Sequence, residues 1–242
     1  MSIILQKFIA DSGMCARRKA EELIRLGQVK VNGLRAELGQ RVEMTDEVVV
    51  SGRKIKTVAH KVYLKLNKPV GYVSTNATKR GEKPVFELIK TSERLFVVGR
   101  LDKDSRGLMI LTNDGELAQK LAHPSFEHEK KYIVKVAQGY AKAEHTLPFK
   151  LTDAVLRHFL SGVDIGEGDG VVKAKSIKYL RTNTFEIVLT YGKKRQIRRM
   201  FAAFELLVMD LQRIEIAGLK LGVLKERESK SLTVEEIEKL KK

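Results

Sequence analysis

Six short segments between residues 62 and 190 have the character of β-strands, and they constrain the fold more than any other feature of the sequence. Several of them alternate β-branched and polar residues, which is typical of strands that bury one face. Helical segments lie among them without strict alternation, and this order favours an α+β fold over a doubly wound one. We therefore predict a mixed, mainly antiparallel sheet flanked by helices. The predicted strands are 62–66, 95–98, 108–111, 132–136, 171–179 and 184–190, and the predicted helices are 85–89, 116–122, 141–147, 194–204 and 233–240. The last helix opens with Thr233 and Glu236, whose spacing predicts a capping box.

The first sixty residues have a denser pattern, which predicts a small α/β domain. Helical periodicity covers residues 3–10 and 16–26. Residues 29–32 alternate between apolar and polar side chains and lead into Asn32-Gly33, a pair that is a strong signal for a hairpin. Another strand, at residues 47–50, completes the predicted order of helix, helix, hairpin and strand.

A change in pattern follows this unit. Between residues 53 and 61 the apolar periodicity disappears and basic residues become frequent, which is typical of a connector between domains. We place the boundary near Val58, so that the predicted domains span residues 1–58 and 59–242.

The charge of the chain indicates the class of partner. Its 242 residues include 46 Lys and Arg against 30 Asp and Glu, a net charge of +16, so the field around the protein attracts polyanions such as nucleic acid. No apolar stretch reaches the roughly 20 residues that a membrane-spanning helix needs, and the short apolar start does not resemble a signal peptide. We expect no membrane association and a cytoplasmic location.

A polar loop between two apolar runs is the first segment that could carry chemistry. Residues 99–107 place three basic and two acidic side chains at the rim of predicted strands, where catalytic groups are common. The same spacing also allows a charged hairpin tip, in which Asp102 and Asp104 only accept hydrogen bonds from backbone amides. A third interpretation is a magnesium site formed by Asp102, Asp104 and Asp114, although the neighbouring cations would already neutralise these carboxylates.

A basic segment at residues 191–201 is the second candidate. Ile197 and Phe201 share one helical face that can dock on the sheet, and the cations between them point elsewhere. Four cations near one helix start can bind phosphates, or they can form a solvated face with only non-specific affinity. These cations are Lys194, Arg195, Arg198 and Arg199.

Two tyrosines lie in or beside the predicted strands. Tyr132 shares its strand face with Val134 and Val136, so its ring is expected to face the core. Tyr72 follows a tight turn after another strand. Each ring can either pack in the core or stack on a nucleobase. The residues alone leave both interpretations open.

The ordered set of motifs resembles the bacterial RsuA-like family of ribosomal pseudouridine synthases. The resemblance extends over nearly all of residues 62–225, and an S4 RNA-binding domain resembles the segment before it. The catalytic motifs are Lys-Pro-Val-Gly at 68–71, Gly-Arg-Leu-Asp at 99–102, Glu-Lys-Lys-Tyr at 129–132, Arg-Gln-Ile-Arg-Arg-Met-Phe at 195–201 and Leu-Gln-Arg-Ile at 211–214, and the S4-like ones are Arg17-Arg18-Lys19-Ala20 and 27–33.

The resemblance implies roles for the residues at these positions. Asp102 is expected to be the nucleophile, Tyr132 to stack on the target base and Arg198 to form an ion pair with the Asp102 carboxylate. Leu211 is expected to line the pocket. The remaining expected substrate contacts are Lys68, Tyr72, Arg100 and Arg195, and the expected RNA contacts of the S4-like domain are Arg17, Arg18, Lys19 and Lys30. One departure is Ala16, which stands where such S4 helices often have a Ser cap.

The implied reaction breaks the bond between uracil and ribose and rejoins the sugar to C5 of the same base. It needs no redox agent and no external group, so we expect neither a cofactor nor a metal ion. The target uridine has to leave its helix to reach the pocket. By similarity the preferred substrate is large-subunit (23S) ribosomal RNA, free or in an assembly intermediate, ahead of small-subunit ribosomal RNA and transfer RNA. We expect the protein to act as a monomer. The alternative is a catalytically silent RNA-binding factor in ribosome assembly, which the complete set of Asp102, Tyr132 and Arg198 disfavours.

Overall fold

The computed structural model describes residues 2–56, 60–75, 79–138 and 151–241. The predicted domain boundary near Val58 and the predicted helix 141–147 lie outside these residues. The chain divides into two compact units. The first comprises residues 1–63, 91–96 and 112–115, and the second comprises residues 64–90, 97–111 and 116–242.

The first unit buries one apolar cluster between two helices and a small sheet. On the second helix Ala20 and Ile24 are buried while Arg17 and Arg18 are exposed, as its periodicity predicts. The predicted hairpin is confirmed. The elements are β1 (Ile3–Ile4), α1 (Leu5–Asp11), α2 (Arg17–Arg25), β2 (Val29–Val31), β3 (Leu34–Arg35), β4 (Arg41–Val42), β5 (Val48–Val50) and β6 (Arg53–Ile55), with the sheet order β3-β2-β5-β6.

The predicted connector after residue 52 is wrong at its start, because β6 is a strand. It pairs antiparallel with β5, and Arg53 lies opposite Val50 and Ile55 opposite Val48. Its own side chains are exposed or only half-buried. A strand at the edge of a sheet that covers little of the core has no need of an apolar pattern, so periodicity did not reveal it.

A nine-stranded sheet dominates the second unit, and it confirms the predicted α+β class. Its strands run in the order β15-β16-β12-β17-β11-β7-β19, with β10 beside β11 and β18 beside β17. Four further strands form two separate pairs, β8 with β9 and β13 with β14. The strands of this unit are β7 (Tyr63–Lys68), β8 (Tyr72–Val73), β9 (Lys83–Pro84), β10 (Phe96–Val98), β11 (Arg106–Thr112), β12 (Lys130–Gln138), β13 (Val163–Asp164), β14 (Val171–Val172), β15 (Ser176–Arg181), β16 (Thr184–Leu189), β17 (Leu206–Ile216), β18 (Leu219–Lys220) and β19 (Ser229–Ser231).

The central strand β17 was absent from the sequence prediction. It pairs antiparallel with β12 and parallel with β11. Its register against β12 shifts twice, between Lys131 and Tyr132 and between Lys135 and Val136. Each irregularity interrupts the alternation of buried and exposed side chains. A window that searches for a constant period of two therefore fails on this strand.

Helices cover the sheet and complete its core. Phe201 packs against Phe159 and Phe185, with ring centroids 4.7 and 5.9 Å apart, so the helices that carry Phe159 and Phe201 are fixed to the sheet. The helix of Phe159 was not predicted. The helices are α3 (Gly115–Ala122), α4 (Asp153–Ser161), α5 (Gln196–Ala202) and α6 (Val234–Lys241), and Val85–Leu88 and Pro124–Phe126 form 3₁₀ turns.

The start of α6 confirms one local prediction. The backbone N–H of Thr233 donates to Glu236 Oε2 at 3.0 Å, and the N–H of Glu236 donates to Thr233 Oγ1 at 3.3 Å. This reciprocal pair is a capping box, as the spacing of the two residues indicates. None of the helices in the described part of the chain has the length and apolar character needed to cross a membrane.

Candidate active site

A cleft of about 540 Å³ opens above the loop that joins β10 to β11. The loop contributes Asp102 to its wall, and β12 and β17 contribute Tyr132 and Leu211. Five residues predicted from the sequence are thus brought together: Asp102, Tyr132, Leu211, Arg100 and Arg195. Further cations line the same cleft, namely Lys103, Lys130, Lys193, Lys194 and Arg213. The cleft is therefore a basic pocket with an apolar wall and one carboxylate.

The Asp102 side chain is half-buried at the wall of this cleft. Among the described residues, none donates a hydrogen bond to its carboxylate and none forms an ion pair with it. Its backbone, by contrast, is fixed: the carbonyl oxygen accepts from Lys68 Nζ at 2.9 Å and from the N–H of Ser105 at 3.1 Å. The chain thus holds the residue firmly while leaving the carboxylate available to a ligand.

Each backbone carbonyl of residues 99–105 accepts a hydrogen bond from a donor outside that loop. Ser74 Oγ donates to Leu101 at 2.6 Å, and the N–H of Gly71 donates to Lys103 at 2.8 Å. The other donors are Arg213 to Gly99 and Arg100, Lys68 to Asp102 and Ser105, and Arg198 to Asp104. The conformation of the loop is therefore imposed by the elements around it.

Lys68 lies beneath this loop with its side chain buried. Its ammonium donates to three carbonyl oxygens, those of Pro69 at 3.1 Å, Asp102 at 2.9 Å and Ser105 at 2.5 Å. Burial lowers the pKa of Lys68 to about 8, and the nearby charges of Asp102 and Asp104 oppose that shift. The prediction that Lys68 contacts substrate is corrected, because its ammonium is engaged by the backbone and does not line the cleft.

Arg213 performs a similar task from β17 and was not singled out from the sequence. Its side chain is buried, and Nε donates to the carbonyl of Leu108 at 2.8 Å. Its two terminal nitrogens approach the carbonyls of Gly99 and Arg100 at 3.3 and 3.5 Å. The available signal was an arginine inside an apolar segment, since a buried guanidinium requires several acceptors.

Arg198 forms its ion pair with Asp104, and this corrects the expected pairing with Asp102. Arg198 Nε lies 3.3 Å from Asp104 Oδ2 without the alignment of a hydrogen bond, and its terminal nitrogens donate to the carbonyls of Val208 and Asp104 at 2.9 and 2.8 Å. The reason is the turn closed by the Ser105 N–H and the Asp102 carbonyl, which directs Asp104, not Asp102, towards α5.

A second arginine, Arg195 at the start of α5, also forms an ion pair with Asp104. Arg195 donates from both terminal nitrogens to the two Asp104 oxygens, each at 3.0 Å. Burial raises the pKa of Asp104, but the hydrogen bonds of Arg195 and the charge of Arg198 outweigh it and hold that pKa below its usual range. The Asp104 carboxylate is thus ionised and already occupied by two arginines.

The apolar wall of the cleft comes from two paired strands. Tyr132 lies directly opposite Arg213, and Val134 lies opposite Leu211. Tyr132 and Leu211 are both buried, so a ring or an isobutyl group is presented to the cleft with little freedom to move. The expectation that the Tyr132 ring faces inward is confirmed.

Tyr72 is placed differently from its predicted role. The residue is buried, and its hydroxyl accepts a hydrogen bond from Arg227 at 3.0 Å. The guanidinium of Arg227 also lies 5.6 Å from the ring centroid. Tyr72 does not belong to the cleft lining, so the prediction of a direct substrate contact is corrected to a packing role.

The predicted RNA contacts of the first unit lie on its surface. Arg17, Arg18, Lys19 and Lys30 are all exposed, and Lys19 forms a surface ion pair with Glu22 at 2.7 Å. The start of α2 has no side-chain cap, as the presence of Ala16 predicts. Exposed cations on one helix are a suitable surface for RNA phosphates.

The proposed magnesium cluster finds no support in this geometry. Asp104 is occupied by arginines, and Asp114 accepts a hydrogen bond from the Tyr63 hydroxyl at 2.7 Å. Within the described ranges, no group of three or more His, Cys, Asp or Glu side chains is placed to hold a metal ion.

Comparison with known proteins identifies the family. A family model for RNA pseudouridylate synthase matches residues 62–203, which include the loop of Asp102 and the strand of Tyr132. The chain belongs to the RNA pseudouridine synthase family. A second model, for the S4 domain, matches residues 5–48 of this pseudouridine synthase. Both the predicted family and the predicted RNA-binding domain are confirmed.

Full-length relatives give the same result. Ribosomal large subunit pseudouridine synthase B of Bacillus subtilis (strain 168) is 39% identical, and the alignment covers 98% of this chain and 95% of the relative. Dual-specificity RNA pseudouridine synthase RluF of Salmonella typhi is 38% identical, with 96% and 76% covered. A crystal structure of a pseudouridylate synthase superposes with a TM-score of 0.70 at 28% identity, covering 98% of this chain and 99% of that one. The pseudouridine synthase described here is thus an isomerase of uridine in RNA.

Proposed function

We propose that this pseudouridine synthase isomerises a uridine of large-subunit ribosomal RNA and that Asp102 is its nucleophile. The assignment of Asp102 rests on a contrast between the backbone and the side chain of this residue. Its backbone is held by Lys68 and Ser105, whereas its carboxylate stands in the cleft without a partner among the described residues. A nucleophile has to be positioned and unoccupied, and Asp104, two residues further, is neither free nor in the cleft lining.

The reaction requires little beyond such a group. The N1–C1′ bond breaks, the C5–C1′ bond forms, C5 loses its proton and N1 ends with one, so the atoms of the nucleotide balance without a co-reactant. An ionised carboxylate can add to the sugar or to the base, or it can stabilise an electron-poor sugar during the exchange. In each route it has to lie beside the ribose and the ring, which is where the Asp102 loop meets the wall of Tyr132 and Leu211.

Tyr132 and Leu211 supply the apolar surface for a base that has left its helix. Removing a base from a stack costs a few kcal/mol, and stacking on an aromatic ring returns part of that cost. Arg100 and Arg195 at the same cleft offer positive charge to the flanking phosphates. We assign base stacking to Tyr132, and to Arg198 the role of holding the Asp104 side of the loop.

The choice of ribosomal RNA rests on the relatives and on the first unit. The Bacillus subtilis relative, which aligns along almost its full length, is named for the large ribosomal subunit. The exposed cations of α2 suit a folded RNA surface, where shape is recognised more than sequence. We further propose that the protein acts as a monomer and, because its proposed substrate is ribosomal RNA, that it is located in the cytoplasm.

Tritium release tests the activity and the substrate together. Large-subunit and small-subunit ribosomal RNA, each labelled with tritium at uracil C5, are incubated with the protein and with its Asp102→Asn variant in the presence of EDTA. We expect release from large-subunit RNA by the wild type alone. Binding without release would favour the silent assembly factor, and release only from small-subunit RNA would overturn the target. Mapping pseudouridines in cells with and without the gene then identifies the position.

A further inference from the structure

A cation in the lining of the active-site cleft and an exposed aromatic ring four residues before it in the chain have no part in the mechanism above. Lys130 lines the cleft two residues before Tyr132 on β12, and the lining also includes Ala122 and Pro124. Phe126 follows Pro124 in the 3₁₀ turn and is 51% exposed. The ring thus lies two residues from a residue that lines a basic cleft, and half of it is open to a ligand.

Lys130 is a half-buried cation that has no anionic partner. Its Nζ donates one hydrogen bond, to the carbonyl of His128 at 3.1 Å. No carboxylate of the described residues forms an ion pair with it, and the positive charge of Arg213 acts on its pKa. Burial and this positive charge both lower the pKa of Lys130. Two like charges at a cleft wall favour an anion that arrives with the ligand.

Phe126 is held in place by two histidines. Its ring stacks on His128 with centroids 6.1 Å apart and an interplanar angle of 18°, and it meets His123 edge-on at 6.2 Å. Burial lowers the pKa of His128, and the charge of Lys130 adds to this, so the imidazole behind Phe126 stays uncharged. One face of the Phe126 ring is therefore supported, and the exposed part of the ring remains available to a ligand.

We propose that Lys130 and Phe126 form a subsite for the nucleotide that flanks the target uridine, with Lys130 binding its phosphate and Phe126 stacking on its base. The connection between them is short, since the carbonyl that accepts from Lys130 belongs to the histidine on which Phe126 stacks. Backbone contact by a cation together with base stacking on an aromatic ring is how single-stranded RNA is bound without sequence specificity. The subsite rests on the proposed function, because it takes the unpaired strand that base flipping creates.

Steady-state tritium release with large-subunit ribosomal RNA separates the two contacts. Lys130→Met is expected to raise KM about tenfold with kcat within twofold, and to reduce the slope of log(kcat/KM) against log salt by about 0.7, the value for one phosphate of a single strand. Lys130→Arg should keep the wild-type slope. Lys135→Met removes an exposed cation of the same strand that does not line the cleft, and should leave both constants unchanged.

Two substitutions of Phe126 test whether its aromatic ring stacks on a base. Phe126→Leu keeps an apolar side chain without a stacking surface and should raise KM about tenfold with an unchanged salt slope, whereas Phe126→Tyr should retain the wild-type KM. The subsite would be overturned if Lys130→Met and Lys135→Met had the same salt slope, or if Lys130→Met lowered only kcat. It would also be overturned if Phe126→Leu kept the wild-type KM. If Lys130→Met does not fold, the Phe126 pair decides. Failure of the proposed function differs from these outcomes, because the wild type itself would release no tritium.

Discussion

The Nζ atom of Lys68 lies 2.9 Å from the backbone carbonyl oxygen of Asp102 and 2.5 Å from that of Ser105, and this ammonium is buried beneath the loop. One cation thus spans the turn that presents the carboxylate to the cleft. Its contribution depends on its proton, because a neutral amine has two N–H donors for three carbonyl acceptors. The geometry of the active site is therefore linked to the ionisation of a residue that does not line the cleft.

Alkaline pH should lower turnover while it raises stability. Burial holds the pKa of Lys68 at about 8 in the folded chain, against 10.5 for an unperturbed lysine. Between these values the unfolded chain binds the additional proton, so the free energy of unfolding should increase with pH in this interval. The loop, however, loses one donor, so kcat should fall above pH 8. Single-turnover rates and denaturant unfolding from pH 7 to pH 10 measure the two trends. In Lys68→Met the contribution of this group to the stability slope should vanish, and parallel trends in the wild type would contradict the linkage.

Asp102→Asn should abolish isomerisation and leave RNA affinity within a few-fold of the wild type. The amide keeps the shape of the side chain and every hydrogen bond of the backbone, so only the nucleophile is lost. Tritium release and filter binding on the same RNA measure the two properties. Equal losses of RNA affinity and turnover would show that Asp102 acts mainly in RNA binding.

Asp104→Asn should reduce kcat about tenfold to a hundredfold without abolishing it. The variant releases Arg195 and weakens the hold of Arg198, so the loop that presents Asp102 can shift by a fraction of an ångström. Arg195→Lys is the matched variant, since it keeps the charge but loses the two-pronged contact, and we expect an intermediate rate. A rate as low as that of Asp102→Asn would assign Asp104 a direct part in chemistry.

Gly107→Ala should destabilise the fold by more than about 3 kcal/mol. Gly107 has a φ of +107°, and a Cβ there would lie 2.2 Å from the backbone oxygen of Arg213, with which it is paired in the parallel ladder. Gly218→Ala is the control, because Gly218 has a φ of +78° with open space around a Cβ. It carries only the conformational cost, about 1–2 kcal/mol. Similar losses of stability in the two variants would show that β11 and β17 can separate to admit a methyl group.

Replacing Arg17 and Arg18 together with Ala should weaken RNA binding and reduce its salt slope by about 1.5, as expected for two phosphate contacts. Both side chains are exposed on α2, so folding should be unaffected. Lys54→Ala removes an exposed cation of the same unit on β6 and serves as the comparison. An unchanged slope in the double variant would place α2 outside the RNA interface.

Local signals in the sequence predicted much of this structure. Asn32 and Gly33 have φ angles of +50° and +83°, the pair of positive values that a tight hairpin turn requires, and the Thr233 and Glu236 spacing correctly indicated a helix start. The same holds for Asp102, Tyr132 and Leu211, which their motifs brought into one cleft. In these cases the cause of the structure lies within a few residues or within a family pattern.

Other features depend on contacts that no local pattern contains. The strand β17 was not predicted because two register shifts against β12 interrupt its alternation of buried and exposed side chains. Because the strand was missed, the role of its residue Arg213 was missed too. The partner of Arg198 could not be read from spacing, since Asp102 and Asp104 are interchangeable until the turn between them is known. Only the folded loop distinguishes the carboxylate that lines the cleft from the one that binds arginines.

Every backbone carbonyl of residues 99–105 accepts a hydrogen bond from outside the loop, and such a carbonyl is present in every amino acid. The side chains at positions 100 and 103 therefore have no part in maintaining the loop, and new ones can be introduced there without redesigning the scaffold. Most donors that fix the loop lie outside it, among them Lys68, Ser74 and Arg213, whereas Arg100 and Lys103 of the loop line the cleft. An enzyme built in this way can acquire a new RNA target through substitutions at positions 100 and 103 while the backbone of Asp102 keeps its position.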